Sequence, residues 1–357
     1  MSSKKTTVAL IKYHLANSGG LEKQAYYIKK AFETAGNRVD LISKETLSLK
    51  QKPFSFQNIR AFNTACEKHL AKNSYSHIFT MDRISCATHI RAGNGCHAAY
   101  LNHRSQFEPF HKFTFNLNPL HRTLLHLEKT AFENPFLRKL ITNSQMVKQE
   151  ILSRYNIPGE KIVTIHNGVE WEKFAQSYSQ FTLNSTYHFL FVGSGFKRKG
   201  LDLLLPALSK LPEKNWRLSI VGYDRNLPYY IQLTEKLYLQ KQIHFHGKVT
   251  NTTPFYQKAD CLILPTLYDP FANTTIEALA MGLTVVTSKT NGGHEILKPE
   301  TGIIIDDLTS QDSLIASLQK ALTRPKTLKL AKTIRNSVQS LSFENQLKEL
   351  TDQCLNS

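Results

Sequence analysis

The stretch Leu264-Pro-Thr-Leu-Tyr-Asp-Pro-Phe-Ala-Asn-Thr-Thr-Ile-Glu-Ala-Leu-Ala-Met-Gly-Leu-Thr-Val-Val286 decides the fold. It reads as a buried strand ending at Pro265, a loop carrying Asp269, a helix starting near Asn273 with Glu277 about one turn inside it, and a new strand at Thr284. Strand, helix and strand in this order make a βαβ unit, and such units build parallel sheets. Open sheets of this kind bind ligands beyond the carboxyl ends of their strands. A helix start there offers free N–H groups and the positive end of a dipole to an anion. Asp269 and Glu277 are therefore expected to converge on a cleft mouth, where carboxylates can hold hydroxyls. The plainer alternative is that Glu277 only decorates a helix.

The same grammar runs both ways along the chain. Val8-Ala-Leu-Ile is a strand, Asn17-Ser-Gly-Gly20 a break, Leu21–Ala35 a helix closed by Gly36, and Val39-Asp-Leu-Ile the next strand. Further strands are expected at His77-Ile-Phe-Thr, Lys139-Leu-Ile-Thr-Asn and Lys161-Ile-Val-Thr-Ile-His, with helices around 57–72, 118–134 and 145–155 between them. Residues 175–186 are polar and Ser/Thr/Gln-rich, which suits a linker. The pattern then restarts with His188-Phe-Leu-Phe-Val-Gly, a helix over Leu201–Leu211, and strands at Arg217, Ile243, Asp260, Thr284 and Thr301. The expected fold class is α/β, two Rossmann-like parallel-sheet domains facing each other across a cleft. At 357 residues, two domains of roughly 170 residues each are also the natural division.

Charge narrows the partners. The net charge is +17, and residues 1–180 hold 25 Lys and Arg against 13 Asp and Glu, with ten of the fourteen histidines among residues 1–180. Such a basic first domain implies an anionic partner: nucleic acid, an acidic membrane surface or a phosphorylated substrate, unless the protein is generically basic. Residues 97–132 interleave basic side chains with Phe107, Phe110, Phe113, Phe115 and Leu117, the composition of a segment seated on anionic lipid or of an amphipathic helix packed on its domain. Apolar runs are strand-sized, far short of the ~18 residues a transmembrane helix needs, and no signal peptide is read; a cytoplasmic location is expected. Five cysteines without a C-x-x-C pair argue for reduced, buried thiols rather than disulfides or a zinc site.

Three further segments carry chemistry. Gly193-Ser-Gly-Phe-Lys-Arg-Lys-Gly200 is a glycine-rich turn after a strand, neither a P-loop nor a clean G-x-G-x-x-G. Its Lys197, Arg198 and Lys199 are candidates to stabilise a departing diphosphate, since no D-x-D metal pair occurs; the alternative is a solvated basic loop. Ser18-Gly-Gly-Leu-Glu22 lets backbone approach a bulky ligand, or is a mere tight turn. Arg91-Ala-Gly-Asn-Gly-Cys-His97 is the third.

With Ile141-Thr-Asn-Ser144 and Ile165-His-Asn-Gly-Val169, these segments, in this order, resemble the family-4 retaining glycosyltransferases of the GT-B fold over nearly the whole chain, and within them the lipopolysaccharide core glucosyltransferases. The resemblance implies an acceptor-binding domain at 1–175, a nucleotide-sugar-binding domain at 186–340, and a C-terminal helix at 341–357 packing back on the first domain. It implies transfer of glucose from a UDP-sugar to a hydroxyl of a lipopolysaccharide core or other glycolipid or oligosaccharide acceptor. Retention of configuration, no metal or other cofactor, no nucleic acid, and a peripheral position on the inner face of the cytoplasmic membrane are also implied. Position by position, Gly19, Gly20 and Gly193 would flank the donor, and Arg198 and Lys199 would neutralise the diphosphate. Glu277 would hold the ribose, and the amides near Phe271, Ala272 and Asn273 would face the transferred sugar. Asp269, Lys199 and His97 would be catalytic, with Asn94 and His97, in a loop facing the reaction centre, on the acceptor side. The sequence departs from the family pattern in four places: Asp269 stands for the first Glu of E-x(7)-E, Asn94 for an Asp, Gly193-Ser194 for a Gly-Arg, which leaves the cationic task to Arg198 and Lys199, and Gln24 for an acidic residue. A nucleotide-sugar 2-epimerase of the same architecture and a non-catalytic nucleic-acid-binding protein are the rival readings; no helix-turn-helix, RNP or zinc signature supports the second.

Overall fold

The computed structural model describes residues 6–14, 20–108, 112–115, 117–175, 177–178, 185–213 and 215–357. Two compact units divide the chain: 1–166 with 344–357, and 167–343. The break falls between His166 and Asn167, ahead of the polar stretch read as a linker, of which residues 176 and 179–184 lie outside the described residues.

The first unit carries β1 (Thr7–Ile11), α1 (Gly20–Thr34), β2 (Arg38–Ile42), α2 (Ser55–Lys72), β3 (His77–Thr80), β4 (His89–Arg91), α3 (His97–Phe107), α4 (Lys112–Phe115), α5 (Pro119–Phe132), β5 (Lys139–Thr142), α6 (Gln145–Leu152) and β6 (Ile162–Thr164). Its sheet runs β2-β1-β3-β4-β5-β6, with every pair parallel. Alternate residues of β1 go to opposite faces, and both faces are buried. Ala9 and Ile11 pack with Phe62, Cys66 and Leu140, whereas Val8 and Leu10 pack with Ile28, Phe32, Phe79 and Leu350. Burial on both sides is why this strand is a continuous apolar run.

The second unit opens with α7 (Trp171–Ala175) and continues with β7 (Tyr187–Val192), α8 (Leu201–Ser209), β8 (Trp216–Val221), α9 (Leu227–Lys236), β9 (Ile243–Gly247), α10 (Thr253–Lys258), β10 (Cys261–Leu264), α11 (Asn273–Ala280), β11 (Thr284–Ser288), β12 (Gly302–Ile305), α12 (Gln311–Leu322) and α13 (Leu328–Ser337). The last helix, α14 (Phe343–Leu355), lies almost wholly in the first unit. The second sheet is also parallel, in the order β12-β11-β10-β7-β8-β9. Phe189 and Phe191 face one core with Trp216, and Leu190 and Val192 face the other with Ile276 and Leu279. Each such side chain contributes ~1.5–3 kcal/mol by burial.

The chain builds β7, β8 and β9 outward to one edge, then returns to place β10 on the other side of β7. Connections therefore leave the β7 and β10 ends in opposite directions, and a crevice opens at the carboxyl ends of these two strands. In the first sheet the same reversal lies between β1 and β3. Among the described residues no helix is long and apolar enough to cross a membrane. Cys66, Cys96, Cys261 and Cys354 are buried free thiols, and Cys86 is half-buried.

Candidate active site

The loops after β7 and β10 meet at the second unit's reversal point. Asp269 is buried there. Its N–H donates to Thr290 O at 2.9 Å and its carbonyl accepts from Gly292 N at 2.9 Å, which ties the loop to the segment after β11. One carboxylate oxygen, Oδ1, accepts from Phe271 N at 3.2 Å. The other, Oδ2, accepts from Lys199 Nζ at 2.7 Å and Arg198 Nη1 at 2.9 Å. Burial alone would raise the Asp269 pKa, but the two cations overcome it and hold the carboxyl below its usual range. Burial lowers the Lys199 pKa, and Asp269 partly offsets that. Arg198 Nη1 also donates to Tyr268 O at 3.1 Å, and its side chain stays 40% exposed.

The turn that carries these cations needs its glycines. Gly200 has φ +82°, and a Cβ there would collide with the carbonyl of Pro265, so the turn after β7 and the end of β10 touch backbone to backbone. A Cβ on Gly193 would come 3.2 Å from the Lys199 stem. Asp224 Oδ2 accepts from Phe196 N at 2.6 Å and pins the turn from the far side.

The start of α11 faces this set in sequence and is held by a residue that sequence reasoning missed. Asn291 is fully buried. Its Oδ1 accepts from Ala272 N and Gly293 N, and its Nδ2 donates to Thr275 Oγ1 and Thr287 Oγ1, each at 3.0 Å. The Asn-Gly-Gly after the strand was the available signal. No side chain caps α11 at Ala272. The N–H groups of Asn273 and Thr274 carry no hydrogen bond among the described residues, and Thr274 Oγ1 is buried without a partner. Asn273 Oδ1 accepts from Asn167 Nδ2 at 2.7 Å, which ties the first residue of the second unit to the helix start.

Glu277 does not share partners with Asp269. Tyr256 Oη, on α10, donates to Glu277 Oε2 at 2.8 Å. Burial raises the Glu277 pKa, against the lowering effects of Tyr256 and Lys173. The two carboxylates thus occupy separate polar sets: one neutralised by cations, the other held beside a buried phenol.

In the first unit the Arg91–His97 segment is anchored by Glu128 of α5, a residue the sequence did not single out. Glu128 is fully buried and accepts from Arg83 Nε at 2.6 Å, His97 N at 2.8 Å, Ala98 N at 3.2 Å and Tyr155 Oη at 2.7 Å. An anion at the start of α3 meets the positive end of that helix. His97 is the first residue of α3, not a loop residue, because Glu128 captures its N–H and starts the helix there. Its Nε2 lies 3.1 Å from His121 Nδ1, and burial lowers its pKa to about 4. Asn94 is exposed. Gly19 lies outside the described residues, and Gly20 opens α1. Several basic residues of 97–132 are spent internally: His103 faces Glu150 at 3.0 Å and Arg104 pairs with Glu108 at 2.7 Å. A pocket of about 340 Å³ at the β1/β3 reversal is lined by Tyr13, Asn58, Phe62, Asp82 and Arg83, among others.

Two doubly wound parallel sheets, with a cation set and an uncapped helix start at the second reversal point, define a protein of the GT-B fold. Residues 18–173 match the family model described as Glycosyltransferase Family 4, and residues 177–339 that described as Glycosyl transferases group 1. Together the two matches run along most of the chain, a family-4-like glycosyltransferase domain followed by a group-1-like one. It is 28% identical over 229 residues to the lipopolysaccharide glucosyltransferase WaaG of Escherichia coli, covering 59% of this chain and 60% of that protein. It is 30% identical over 200 residues to an uncharacterized glycosyltransferase of Methanocaldococcus jannaschii, covering 52% and 51%. The chain thus spans about half the length of these curated relatives. A crystal structure of WaaG superposes with a TM-score of 0.79 at 20% identity, covering 98% of this chain and 100% of that one, which establishes the shared fold.

Proposed function

We propose that this protein is a metal-independent retaining glycosyltransferase that moves glucose from a UDP-sugar to a hydroxyl of a lipopolysaccharide core or related glycolipid or oligosaccharide acceptor. The observation that carries the reading is the Lys199–Asp269–Arg198 set beside an uncapped helix start at the β7/β10 reversal. Two cations and one carboxylate leave a net positive charge, and the open N–H groups of Asn273 and Thr274 add a second anion-binding element. A nucleoside diphosphate fits that chemistry. The similarity to WaaG supports glucose and the lipopolysaccharide acceptor.

In this mechanism Arg198 and Lys199 take up the diphosphate charge as the glycosidic bond breaks. Asp269 positions them, and the amides around Phe271, Ala272 and Asn273 face the sugar. Gly193 gives the donor close backbone, and Glu277 takes the ribose hydroxyls. The departing diphosphate accepts the acceptor proton on the face it leaves, which gives retention without a protein nucleophile. The acceptor is bound by the first unit near Asn94, His97 and the pocket of Tyr13 and Asp82. The basic excess of residues 1–180 supports peripheral binding to the anionic inner face of the cytoplasmic membrane. Incubation with UDP-, GDP- and ADP-sugars, followed by nucleotide release and acceptor labelling, tests the reading. UDP-glucose turnover is expected; binding of no sugar nucleotide overturns it.

A further inference from the structure

A cluster far along the chain from the nucleotide set has no part in the reading above. His77 opens β3 and His89 opens β4, on neighbouring strands. His89 pairs with Phe79, and His77 lies two residues before Phe79, so both imidazoles leave the same face of the sheet. Phe79 marks that face: it packs with Val8, Leu10, Leu350 and Cys354. Cys354 comes from α14, which covers the face. The ligating atoms of His77, His89 and Cys354 all lie within 4.8 Å of one another, and all three residues are buried.

We propose that His77, His89 and Cys354 bind one zinc ion, or a divalent ion of similar softness, that fastens α14 to the first sheet. Two imidazoles and a thiolate are the donor set such ions prefer. Bonds of ~2.0–2.3 Å around a tetrahedral ion put its ligand atoms about 3.5 Å apart, so the cluster closes by about 1 Å on binding.

Two features of the surroundings point to a ligand. His77 Nδ1 is buried with no hydrogen-bond partner, which an apolar core does not tolerate cheaply. Around His89, Thr88 Oγ1 bonds Ile78 O at 3.2 Å and lies 2.8 Å from His89 Nδ1. With the hydroxyl proton given to Ile78, Nδ1 is the donor and Nε2 carries the lone pair, the arrangement by which outer partners orient a metal-binding imidazole. Ser357 Oγ, 2.6 Å from that Nε2, donates its proton there in the absence of an ion and can turn it to Cys354 O, 2.9 Å away, when an ion takes the lone pair, so that it completes the ligand shell or yields to water. On binding, Cys354 releases one proton to solvent and the metal–sulfur bond forms; both histidines stay neutral. Burial pushes the Cys354 thiol up to about 12, which the metal–sulfur bond must overcome; Arg138, whose Nη1 is 3.5 Å from Ser357 O, opposes a dication but draws the thiol partly back down.

Titrating the chelator-stripped full chain with cobalt(II) tests this without reference to turnover. One equivalent is expected to give visible bands of a tetrahedral ion and a near-ultraviolet thiolate-to-cobalt band, both removed by zinc. Cys354→Ser should abolish the near-ultraviolet band, and Cys86→Ser should keep it. Should Cys354→Ser fail to fold, His77→Gln should keep the band and weaken binding at least about tenfold. Absence of stoichiometric uptake, or a charge-transfer band that survives Cys354→Ser, overturns the proposal, as does unchanged affinity in His77→Gln.

Discussion

The ammonium of Lys199 and the carboxylate of Asp269 sit 2.7 Å apart, both buried, at the junction of the loops that follow β7 and β10. Asp269 does not complete the neutralisation, because it also serves Arg198. The cations are therefore held in place by one negative charge and remain one charge in excess.

Asp269→Asn keeps the shape of the side chain and removes that charge. It leaves Lys199 buried without an ionic partner, which should destabilise the second unit by about 3 kcal/mol in denaturant unfolding. UDP supplies the missing negative charge, so it should raise the melting temperature of Asp269→Asn by more than that of the wild type. An equal or smaller shift in the variant removes the diphosphate from this pocket. The low Asp269 pKa fixes the pH dependence. Its stabilising contribution is present above the ordinary Asp value of 3.8 and is lost as pH falls through the lower folded value.

Lys199→Ala should lower kcat about 100-fold or more with little change in fold, since Arg198 still pairs with Asp269. Steady-state rates with UDP-glucose check this. An unchanged kcat takes Lys199 out of the chemistry.

Glu277 presents the opposite balance. Its raised pKa means that the folded state holds the proton more tightly than the unfolded one, so the charged form costs stability as pH rises through the folded value. Glu277→Gln can still accept from Tyr256 and should raise the melting temperature at neutral pH. It should weaken UDP binding by ~10- to 100-fold, the loss expected for hydrogen bonds to a charged group. Calorimetric titration with UDP reads the second effect; a variant that is more stable and binds equally well makes Glu277 a structural residue only.

Chelation separates two metal questions. EDTA should leave turnover insensitive to added magnesium or manganese, because Arg198 and Lys199 carry the anion. A turnover restored only by magnesium or manganese defeats metal independence. A loss of thermal stability repaired by zinc alone concerns the His77, His89 and Cys354 cluster instead.

The second unit was largely legible because its signals are local. The apolar run into Pro265, the spacing of Asp269 and Glu277, and the glycines from 193 to 200 each act within one loop. Asn291 offered only the local signal of Asn-Gly-Gly; its role was hidden, because it comes from bonds to Ala272 and Thr275, sixteen or more residues away. Glu128 was hidden for the same reason, as its partners Arg83 and Tyr155 are 45 and 27 residues distant. Strand β4 has three residues, too few to show a period, and α3 buries His97, Ala99 and Leu101 in an alternation that does not read as helical. That Asp269 and Glu277 keep different hydrogen-bond partners also escaped the sequence, since it depends on Tyr256 arriving from α10.

The first unit should lose stability in mild acid, and the histidines give the sign. The folded pKa of His97 is lowered to about 4, and that of His89 to about 3, by burial and neighbouring positive charge, from an ordinary 6.5. Between pH 6.5 and 4 the unfolded chain therefore binds protons that the folded chain refuses, so stability falls as pH falls through this window. Below it, protonation of Glu128, whose pKa is held low chiefly by Arg83 against the effect of burial, removes the cap from α3 and deepens the loss. His97→Asn should flatten the slope between pH 6.5 and 4 while leaving the later step in place. For catalysis, a histidine neutral throughout pH 5–8 adds no inflection to the rate profile there. Denaturant unfolding at several pH values and a kcat profile over that range check both expectations. An inflection near pH 6.5 that disappears in His97→Asn would contradict a neutral His97 and restore it as a proton carrier.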